Sequence, residues 1–260
     1  MTPSAIEAAA LHLLAARRNR RPGPRLPKAS RPATDEEALA IQRRIAFLLD
    51  EPIGGWKCSL PTPEKTLVAP IYAATIGKTS PYPVPALQTY ARIEPEVAFV
   101  LARDLPRRAK PYTEADVRAA IGETRLVLEL MGSRYADPTK IPFPEMLADS
   151  ANNYGLYVGP TVSGRIDRVA LDRFPLAIHG PAGAILARDG EHPDGHPLRP
   201  LTWLANWFAT NTAGWARGLT AGQIITTGSY AGALDVPLAT PLTITFGKLG
   251  KVEVTLIPVG

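Results

Sequence analysis

Two glutamates, Glu94 and Glu96, stand two residues apart in a segment, Ala91 to Leu101, whose other residues alternate as in a β-strand. Side chains at positions i and i+2 of a strand point to the same side, so a strand here holds both carboxylates side by side. Two adjacent unpaired carboxylates repel, and a buried charge persists only when it is paired or bound to a metal. The pair therefore indicates two oxygen ligands of a hard divalent cation, Mg²⁺ or Mn²⁺. The alternative is a solvated edge strand marked by Pro95.

A third acidic residue, Glu129, interrupts a second β-like run, residues 125–131, that is apolar after its first residue. A lone glutamate in such a run is costly unless it has a partner. Three carboxylates without a histidine or cysteine cluster suit Mg²⁺ or Mn²⁺ and leave coordination positions free for a substrate. A salt bridge to one of the many arginines is the other interpretation of Glu129.

Length and composition limit the class of protein. The chain of 260 residues can form one large domain, or a main domain with a small N-terminal one. The longest apolar stretches are much shorter than a membrane span, and Glu7 interrupts the first, so we expect neither a membrane segment nor a signal peptide. A single cysteine, Cys58, excludes an internal disulfide and indicates a reducing, cytoplasmic location.

The net charge of +5 is partly local, because seven basic residues and no acidic ones lie between Arg17 and Arg31. No aromatic residue is interleaved there to stack on bases, so we expect no nucleic-acid partner. Cations suit the end of a helix that runs into a proline-rich connector. A basic protein also suits a small anionic substrate.

Capping and alternation patterns predict the elements. Helices are expected at residues 4–18 with Ser4 as N-cap, from Thr34 to about residue 49, from Thr113 to Ile121, and from Thr202 to about Arg217. Strands are expected at residues 91–101, 125–131, 154–158, 176–179, 184–187, 223–227, 242–246 and 252–257, and a polar loop at 188–200. Many strands without βα alternation predict an α+β fold, with a helical N-terminal region, 1–55, and a β-rich domain, 56–260, that carries the carboxylates.

Several stretches, taken together and in order, resemble one known family. They are Gly55-Trp56-Lys57, Ile93 to Leu101, Leu128-Glu129, Ala148 to Asn153, Gly195 to Leu198, Trp203 to Asn206 and Thr227 to Ser229. The chain is similar in these stretches to the 2-keto-4-pentenoate hydratase and 4-oxalocrotonate decarboxylase family of the fumarylacetoacetate hydrolase-like superfamily. The resemblance covers nearly the whole chain.

The resemblance implies a mixed β-roll core of the fumarylacetoacetate hydrolase C-terminal-domain type with peripheral helices. It also implies that Glu94, Glu96 and Glu129 hold Mg²⁺ or Mn²⁺, and that Lys57 is the family's active-site lysine, which stabilises negative charge or moves a proton. Four further residues are expected to contact the substrate: Asn152, Asn153, His196 and Ser229.

The activity implied by the resemblance is that of a metal-dependent lyase, a hydratase of a small anionic 2-hydroxy- or 2-oxo-dienoic acid from aromatic-compound breakdown, in a homo-oligomer. Two departures keep alternatives open. No Asp or Glu lies between Thr66 and Gly77, where the family carries a second general acid–base, and residues 150–153 read Ser-Ala-Asn-Asn instead of the usual Asn-Ala-Ser-Ser. The alternatives are a decarboxylase of a 4-oxalocrotonate-like diacid, a C–C bond hydrolase, and a non-catalytic subunit of a hydratase–decarboxylase pair.

Overall fold

The computed structural model describes residues 1–85, 90–164, 169–210 and 218–259, and within these ranges it has five α-helices and fifteen β-strands. The helices are α1 (Pro3–Arg18), α2 (Asp35–Leu49), α3 (Glu114–Ala120), α4 (Phe143–Ala148) and α5 (Leu198–Thr210). The strands are β1 (Ile53–Cys58), β2 (Val68–Tyr72), β3 (Ile76–Gly77), β4 (Tyr82–Pro85), β5 (Tyr90–Leu101), β6 (Leu105–Pro106), β7 (Ile121–Met131), β8 (Asn153–Thr161), β9 (Arg173–Gly180), β10 (Gly183–Glu191), β11 (Gly218–Leu219), β12 (Ile224–Ser229), β13 (Leu234–Pro237), β14 (Pro241–Phe246) and β15 (Gly250–Val259).

The main sheet has eight strands in the order β2-β1-β12-β5-β7-β8-β3, with β13 paired to β5. It is mixed, since β1 runs parallel to β12 while β5 runs antiparallel to β7. The sheet curls so that β2 comes close to β8, and one small apolar cluster on its inner face contains Ile71, Ala98, Val127, Leu156 and Ile224. The result is a nearly closed roll with a narrow interior.

The outer face of this roll forms the large core. Alternate residues of the same strands, such as Trp56, Phe99 and Leu128, are fully buried there against α5 and the second sheet, whose order is β10-β9-β14-β15-β4. Because neighbouring residues of a strand point to opposite faces, the burial of this outer set determines which residues face the interior. The predicted α+β fold with a β-roll core is confirmed.

The N-terminal helices pack together outside the roll. Buried residues of α1 and α2 form a second apolar cluster with Leu147 and Ala148 of α4. Thr34 caps α2 as predicted, accepting a hydrogen bond from the Glu37 amide. The N-cap of α1 is Thr2 rather than Ser4. The division of the chain at residue 55 stays a prediction, and in the structure β1 already begins at Ile53.

Thr113 caps α3 as expected, with Asp116 completing a capping box, and the predicted strands are found with longer bounds. Two expectations were wrong. The loop predicted at 188–200 contains the end of β10 and the start of α5, and Thr202 lies inside α5, which begins at Leu198. The predicted continuation of that helix, 211–217, lies outside the described residues. In the described part of the chain, no helix is both long and apolar enough to cross a membrane.

Candidate metal centre and active site

Strand register brings the three glutamates together. In the antiparallel pair of β5 and β7, Glu94 lies directly opposite Glu129, and Glu96 is two residues further along β5 on the same face. One carboxylate oxygen from each residue lies within 4.8 Å of the others. Like charges directly opposite each other across two strands destabilise a sheet. The acidic cluster, Glu94, Glu96 and Glu129, is therefore an arrangement that needs a compensating cation.

Lys57 supplies one positive charge to the acidic cluster. It lies on β1 between β2 and β12, facing the interior of the roll because its neighbours Trp56 and Cys58 are buried in the outer core. Its Nζ donates to Glu129 Oε1 at 2.6 Å and lies 4.0 Å from a Glu94 oxygen. Burial disfavours the charged form, but the carboxylates of Glu129 and Glu94 outweigh it and raise the pKa of Lys57. The ammonium form is thereby stabilised.

Glu96 is held from β12. It is 2% exposed and accepts hydrogen bonds from the Thr226 hydroxyl and, at 2.9 Å, from the Gly228 amide. Burial and the nearby Glu129 and Glu94 carboxylates raise the pKa of Glu96 to about 8. Burial also raises the pKa of Glu129, against the opposing effect of Lys57. One ammonium thus faces three carboxyl groups, so without a second cation the cluster offsets its excess negative charge by taking up a proton, as the raised pKa of Glu96 indicates.

Glu129 shows how a cation would be accommodated. It is fully buried, with Oε1 accepting from Lys57 and, at 2.9 Å, from Asn153 Nδ2. Its Oε2 has no hydrogen-bond partner among the described residues. A buried carboxylate oxygen without a partner is costly. This oxygen, beside two further carboxylates, suits a hard divalent cation, which prefers oxygen ligands.

A strained turn lies next to the cluster. Ser150, Ala151 and Asn152 have positive φ values of 54°, 50° and 59°, a left-handed conformation that costs a non-glycine residue energy. Ser150 and Ala151 are nevertheless buried, and the carbonyl of Ala151 accepts a hydrogen bond from Lys57 Nζ at 3.3 Å. The left-handed turn, residues 150–152, therefore contributes directly to the placement of Lys57.

The residues predicted to contact substrate lie at different distances from the cluster. Asn153 donates to Glu129, and Ser229 is paired across the sheet with Glu96, its hydroxyl donating to the Gly232 carbonyl at 2.9 Å. Asn152 is in the left-handed turn, half-buried. His196 accepts a hydrogen bond from the Leu198 amide at the start of α5. Their contact with a substrate stays a prediction.

Sequence reasoning did not identify Thr226 or His192. Thr226 is fully buried and holds Glu96, and its position beside the Thr227–Ser229 stretch was the available signal. His192 is 2% exposed, its Nε2 3.3 Å from the Thr227 hydroxyl, and burial lowers its pKa to about 4. We expected a solvated loop here, so the burial of His192 had no signal in the sequence.

The chain is similar in sequence to several curated proteins. No known family model matches the chain. A 2-keto-4-pentenoate hydratase from Burkholderia vietnamiensis is 30% identical over 182 residues, which cover 69% of this chain and 65% of that protein. A 2-hydroxyhexa-2,4-dienoate hydratase from Comamonas testosteroni is 31% identical over 145 residues, 54% of this chain and 50% of that protein. The chain thus spans half to about two thirds of the length of these curated relatives.

Solved structures match over a longer range. The 4-oxalocrotonate decarboxylase from Pseudomonas putida G7, complexed with calcium and acetate, aligns over 99% of both chains with a TM-score of 0.78 and 22% identity. The same enzyme complexed with magnesium and adipate gives a TM-score of 0.77 at 20% identity. A 2-hydroxyhepta-2,4-diene-1,7-dioate isomerase from Mycobacterium marinum covers 81% of this chain and 77% of its own, with a TM-score of 0.54 at 17% identity.

The roll that carries the acidic cluster has the fold of these decarboxylase and isomerase structures. In sequence, the chain is similar to the proteins named 2-keto-4-pentenoate hydratase. The resemblance that the sequence motifs indicate is confirmed.

Proposed function

We propose that this chain is a divalent-metal-dependent lyase that hydrates a small 2-hydroxy- or 2-oxo-dienoic acid. The observation that carries the proposal is the acidic cluster of Glu94, Glu96 and Glu129, whose three carboxylates meet within 4.8 Å around the buried Lys57. A purely structural role does not explain it, because the partnerless Glu129 Oε2 is a cost that a salt bridge with good geometry would avoid. The hydratases among the sequence relatives support the reaction class.

Glu94, Glu96 and Glu129 would hold Mg²⁺ or Mn²⁺, both of which take carboxylate oxygens. When bound, such an ion supplies a Lewis acid that stabilises negative charge developing on the 2-oxo group of a substrate. Thr226 and the Gly228 amide orient Glu96, and Asn153 orients Glu129. Lys57, held by the Ala151 carbonyl, provides a positive charge and a transferable proton beside the acids. Burial of Lys57, Glu96 and Glu129 excludes water from their contacts, while Glu94 is 19% exposed.

Decarboxylation of a 4-oxalocrotonate-like diacid is the second candidate. The observation that favours it is the similarity of fold to 4-oxalocrotonate decarboxylase, which extends over 99% of both chains. The segment between Thr66 and Gly77, which lacks any acidic residue, is consistent with a reaction that needs no second carboxylic acid. Both reactions share the stabilisation of negative charge at the 2-oxo group.

The test is to incubate the purified chain and Mg²⁺ or Mn²⁺ with a 2-hydroxy-dienoate and, separately, with 4-oxalocrotonate. Loss of the ultraviolet absorbance of the dienoate, with a hydrated 2-oxo acid as product, is the expected result. Release of CO₂ from the diacid alone would favour the decarboxylase, and cleavage of a C–C bond without CO₂ the hydrolase. If the chain binds the metal but turns over none of these compounds, the non-catalytic partner subunit becomes the better interpretation.

We also propose that the chain is cytoplasmic and forms a homo-oligomer, alone or together with a partner hydratase or decarboxylase subunit. The single cysteine, Cys58, supports a reducing compartment, since it is buried and burial raises the pKa of its thiol. Light scattering of the purified chain, with and without a candidate partner, measures the assembly. A monomer at micromolar concentration in both samples would contradict it.

A further inference from the structure

The left-handed turn, residues 150–152, needs an explanation because only Asn152 among its residues adopts positive φ readily, and Ser150 and Ala151 do not. Three consecutive non-glycine residues with positive φ each cost about 1 kcal/mol or more relative to a right-handed conformation. Such a turn persists only when the surrounding structure holds it. The contacts that hold it therefore determine where the Ala151 carbonyl points, and with it Lys57 Nζ.

Arg17 donates to the Ser150 hydroxyl within the turn at 3.5 Å, and Arg134 contacts the residues on either side of it. Arg134 is 4% exposed, and its guanidinium donates to the Gly132 carbonyl at 2.7 Å on one side of the turn and to the Asn153 carbonyl at 2.5 Å on the other. Its Nε lies 3.4 Å from a carboxylate oxygen of Asp149, the residue that precedes the turn. One rigid, planar group thus joins both ends of the left-handed turn to the end of β7.

Asp149 holds the turn from the other direction. It is 2% exposed, and its Oδ2 accepts the backbone amide of Arg134 at 2.8 Å. A further backbone bond, from the Gly132 amide to the Asn152 carbonyl at 2.8 Å, fixes the end of the turn. Burial raises the pKa of Asp149, and Arg134 opposes that effect. The pair is therefore mutually dependent, since removing either partner leaves a buried charge without compensation.

Two groups at the left-handed turn contact the residues of the site. The Ala151 carbonyl accepts from Lys57 Nζ, and the side chain of Asn153, whose carbonyl Arg134 holds, donates to Glu129 Oε1. Arg134 and Asp149 themselves make no contact with the three glutamates among the hydrogen bonds and ion pairs of the described residues. They touch the site only through the turn.

We propose that Arg134 and Asp149 are positioning residues, which hold the left-handed turn so that Lys57 and Glu129 keep their places in the site. The expected effect of these two residues on catalysis rests on the proposed function, whereas their role in holding the turn does not. Loss of Arg134 or Asp149 releases the turn toward a right-handed or extended conformation and moves the Ala151 carbonyl away from Lys57. The expected cost in turnover is about 10- to 100-fold, the range seen when partners that orient metal ligands are removed.

The experiment compares Arg134→Met and Asp149→Asn with Arg25→Met. Arg25 pairs with the side chain of the buried Glu145 on α4, so its variant also breaks an ion pair with a buried carboxylate, but leaves the hydrogen bonds of Arg134 and Asp149 in place. Crystal structures of the variants report the φ values of residues 150–152 and the distance from Lys57 Nζ to the Ala151 carbonyl. Steady-state kinetics and Mn²⁺ binding are measured at a temperature where all variants are folded.

The expected result is an altered turn and a 10- to 100-fold lower kcat in the Arg134 and Asp149 variants, with both properties unchanged in Arg25→Met. A second change, Ala151→Gly in Arg134→Met, should restore part of kcat, because glycine adopts positive φ without strain. Because the kinetics are measured where every variant is folded, a higher kcat after this change reports the conformation of the turn and not the overall stability. An unchanged turn in a folded Arg134→Met or Asp149→Asn variant overturns the proposal, as does an equal kcat loss in Arg25→Met.

If Arg134→Met does not fold, Asp149→Asn decides, because it keeps the size of the side chain and an oxygen that can accept the Arg134 amide. If the wild-type chain has no activity, only the proposed function is contradicted. The crystal structures of the variants would still show whether Arg134 and Asp149 hold the turn.

Discussion

Two glutamates of this molecule are equally buried but differently satisfied. Glu145, on α4 outside the roll, is 1% exposed and receives hydrogen bonds from Arg25 on both of its oxygens, at 3.0 and 3.1 Å. Glu129, inside the roll, is fully buried but leaves Oε2 without a partner among the described residues, while facing two more carboxylates. The comparison teaches that burial alone does not identify a functional carboxylate. Incomplete satisfaction, together with like charge nearby, distinguishes Glu129 as a candidate metal ligand.

Lys57 pairs with Glu129 as Arg25 pairs with Glu145. Replacing Lys57 gives the largest expected effect, which is on turnover. Lys57→Met keeps the apolar stem and removes the charge, so turnover should fall about 10²- to 10⁴-fold, the range for a positioned acid–base group. Affinity for Mn²⁺ should stay equal or become tighter, because a competing positive charge leaves the acidic cluster. Kinetics and calorimetric titration measure both. A collapse of Mn²⁺ binding together with activity would instead make Lys57 a structural partner like Arg25.

Glu129→Gln tests the unsatisfied member of the comparison directly. Loss of one carboxylate ligand should weaken Mn²⁺ or Mg²⁺ binding by more than about 100-fold, beyond the usual effect of a residue that only orients a ligand. Glu145→Gln is the matched control, with the same chemical change at similar burial, and its metal affinity should equal that of the wild type. Equal metal affinity in all three proteins, by titration calorimetry, would remove Glu129 from the metal site.

Stability should follow the opposite pattern. Glu145→Gln breaks a salt bridge whose arginine side is 36% exposed, so we expect a loss of roughly 2 kcal/mol in the free energy of unfolding, less than for a fully buried pair. Glu129→Gln removes the ion pair with Lys57 but also the repulsion with Glu94, and Glu94 remains beside the Lys57 ammonium, so this change should cost less in the metal-free chain. Urea unfolding in EDTA measures the difference. Greater destabilisation by Glu129→Gln than by Glu145→Gln would contradict this order.

His192 extends the comparison to a buried base whose hydrogen-bonding partners are neutral. Its replacement gives the smallest expected effect, which is on the pH dependence of the free energy of unfolding. Burial and His196 lower its pKa from 6.5 to about 4, so between these values the unfolded chain binds a proton that the folded chain does not. The contribution to stability is complete above pH 6.5 and decreases as the pH falls toward 4. From pH 7 to 5.5 the loss is roughly 1.2 kcal/mol. His192→Asn should lack this part of the pH dependence in urea unfolding, and a variant with the wild-type pH profile would exclude His192 as its source.

The sequence was sufficient to predict the acidic cluster because its signal is local. The alternation around Glu94 and Glu96, and the apolar neighbours of Glu129, identify side chains that cannot be ordinary core residues. What alternation cannot provide is register, and the pairing of Glu94 with Glu129 depends on how β5 and β7 align over their length. The β-roll itself followed from the family resemblance more than from the strand pattern.

The parts that could not be predicted depend on tertiary contacts. The left-handed turn contains no glycine from which it could be predicted. Arg134 and Asp149, the buried pair that holds the turn, lie 15 residues apart in the sequence. The start of α5 was placed at Thr202 because threonine is a common cap, whereas packing of Leu198 and Leu201 in the core extends the helix earlier. In each case, long-range packing overrode local preference.

The acidic cluster lies on β5 and β7, and the groups that contact it come from both earlier and later in the chain, with Lys57 on β1 and the Thr226 and Gly228 contacts on β12. An unfolded or half-folded chain cannot bring these groups together, so a cation that binds here binds the completed roll alone. By thermodynamic linkage, each tenfold excess of such a cation over its dissociation constant then adds about 1.4 kcal/mol to the stability of the native state. Metal supply would thereby govern the lifetime of the protein in the cell as well as its chemistry, since degradation acts on the unfolded fraction.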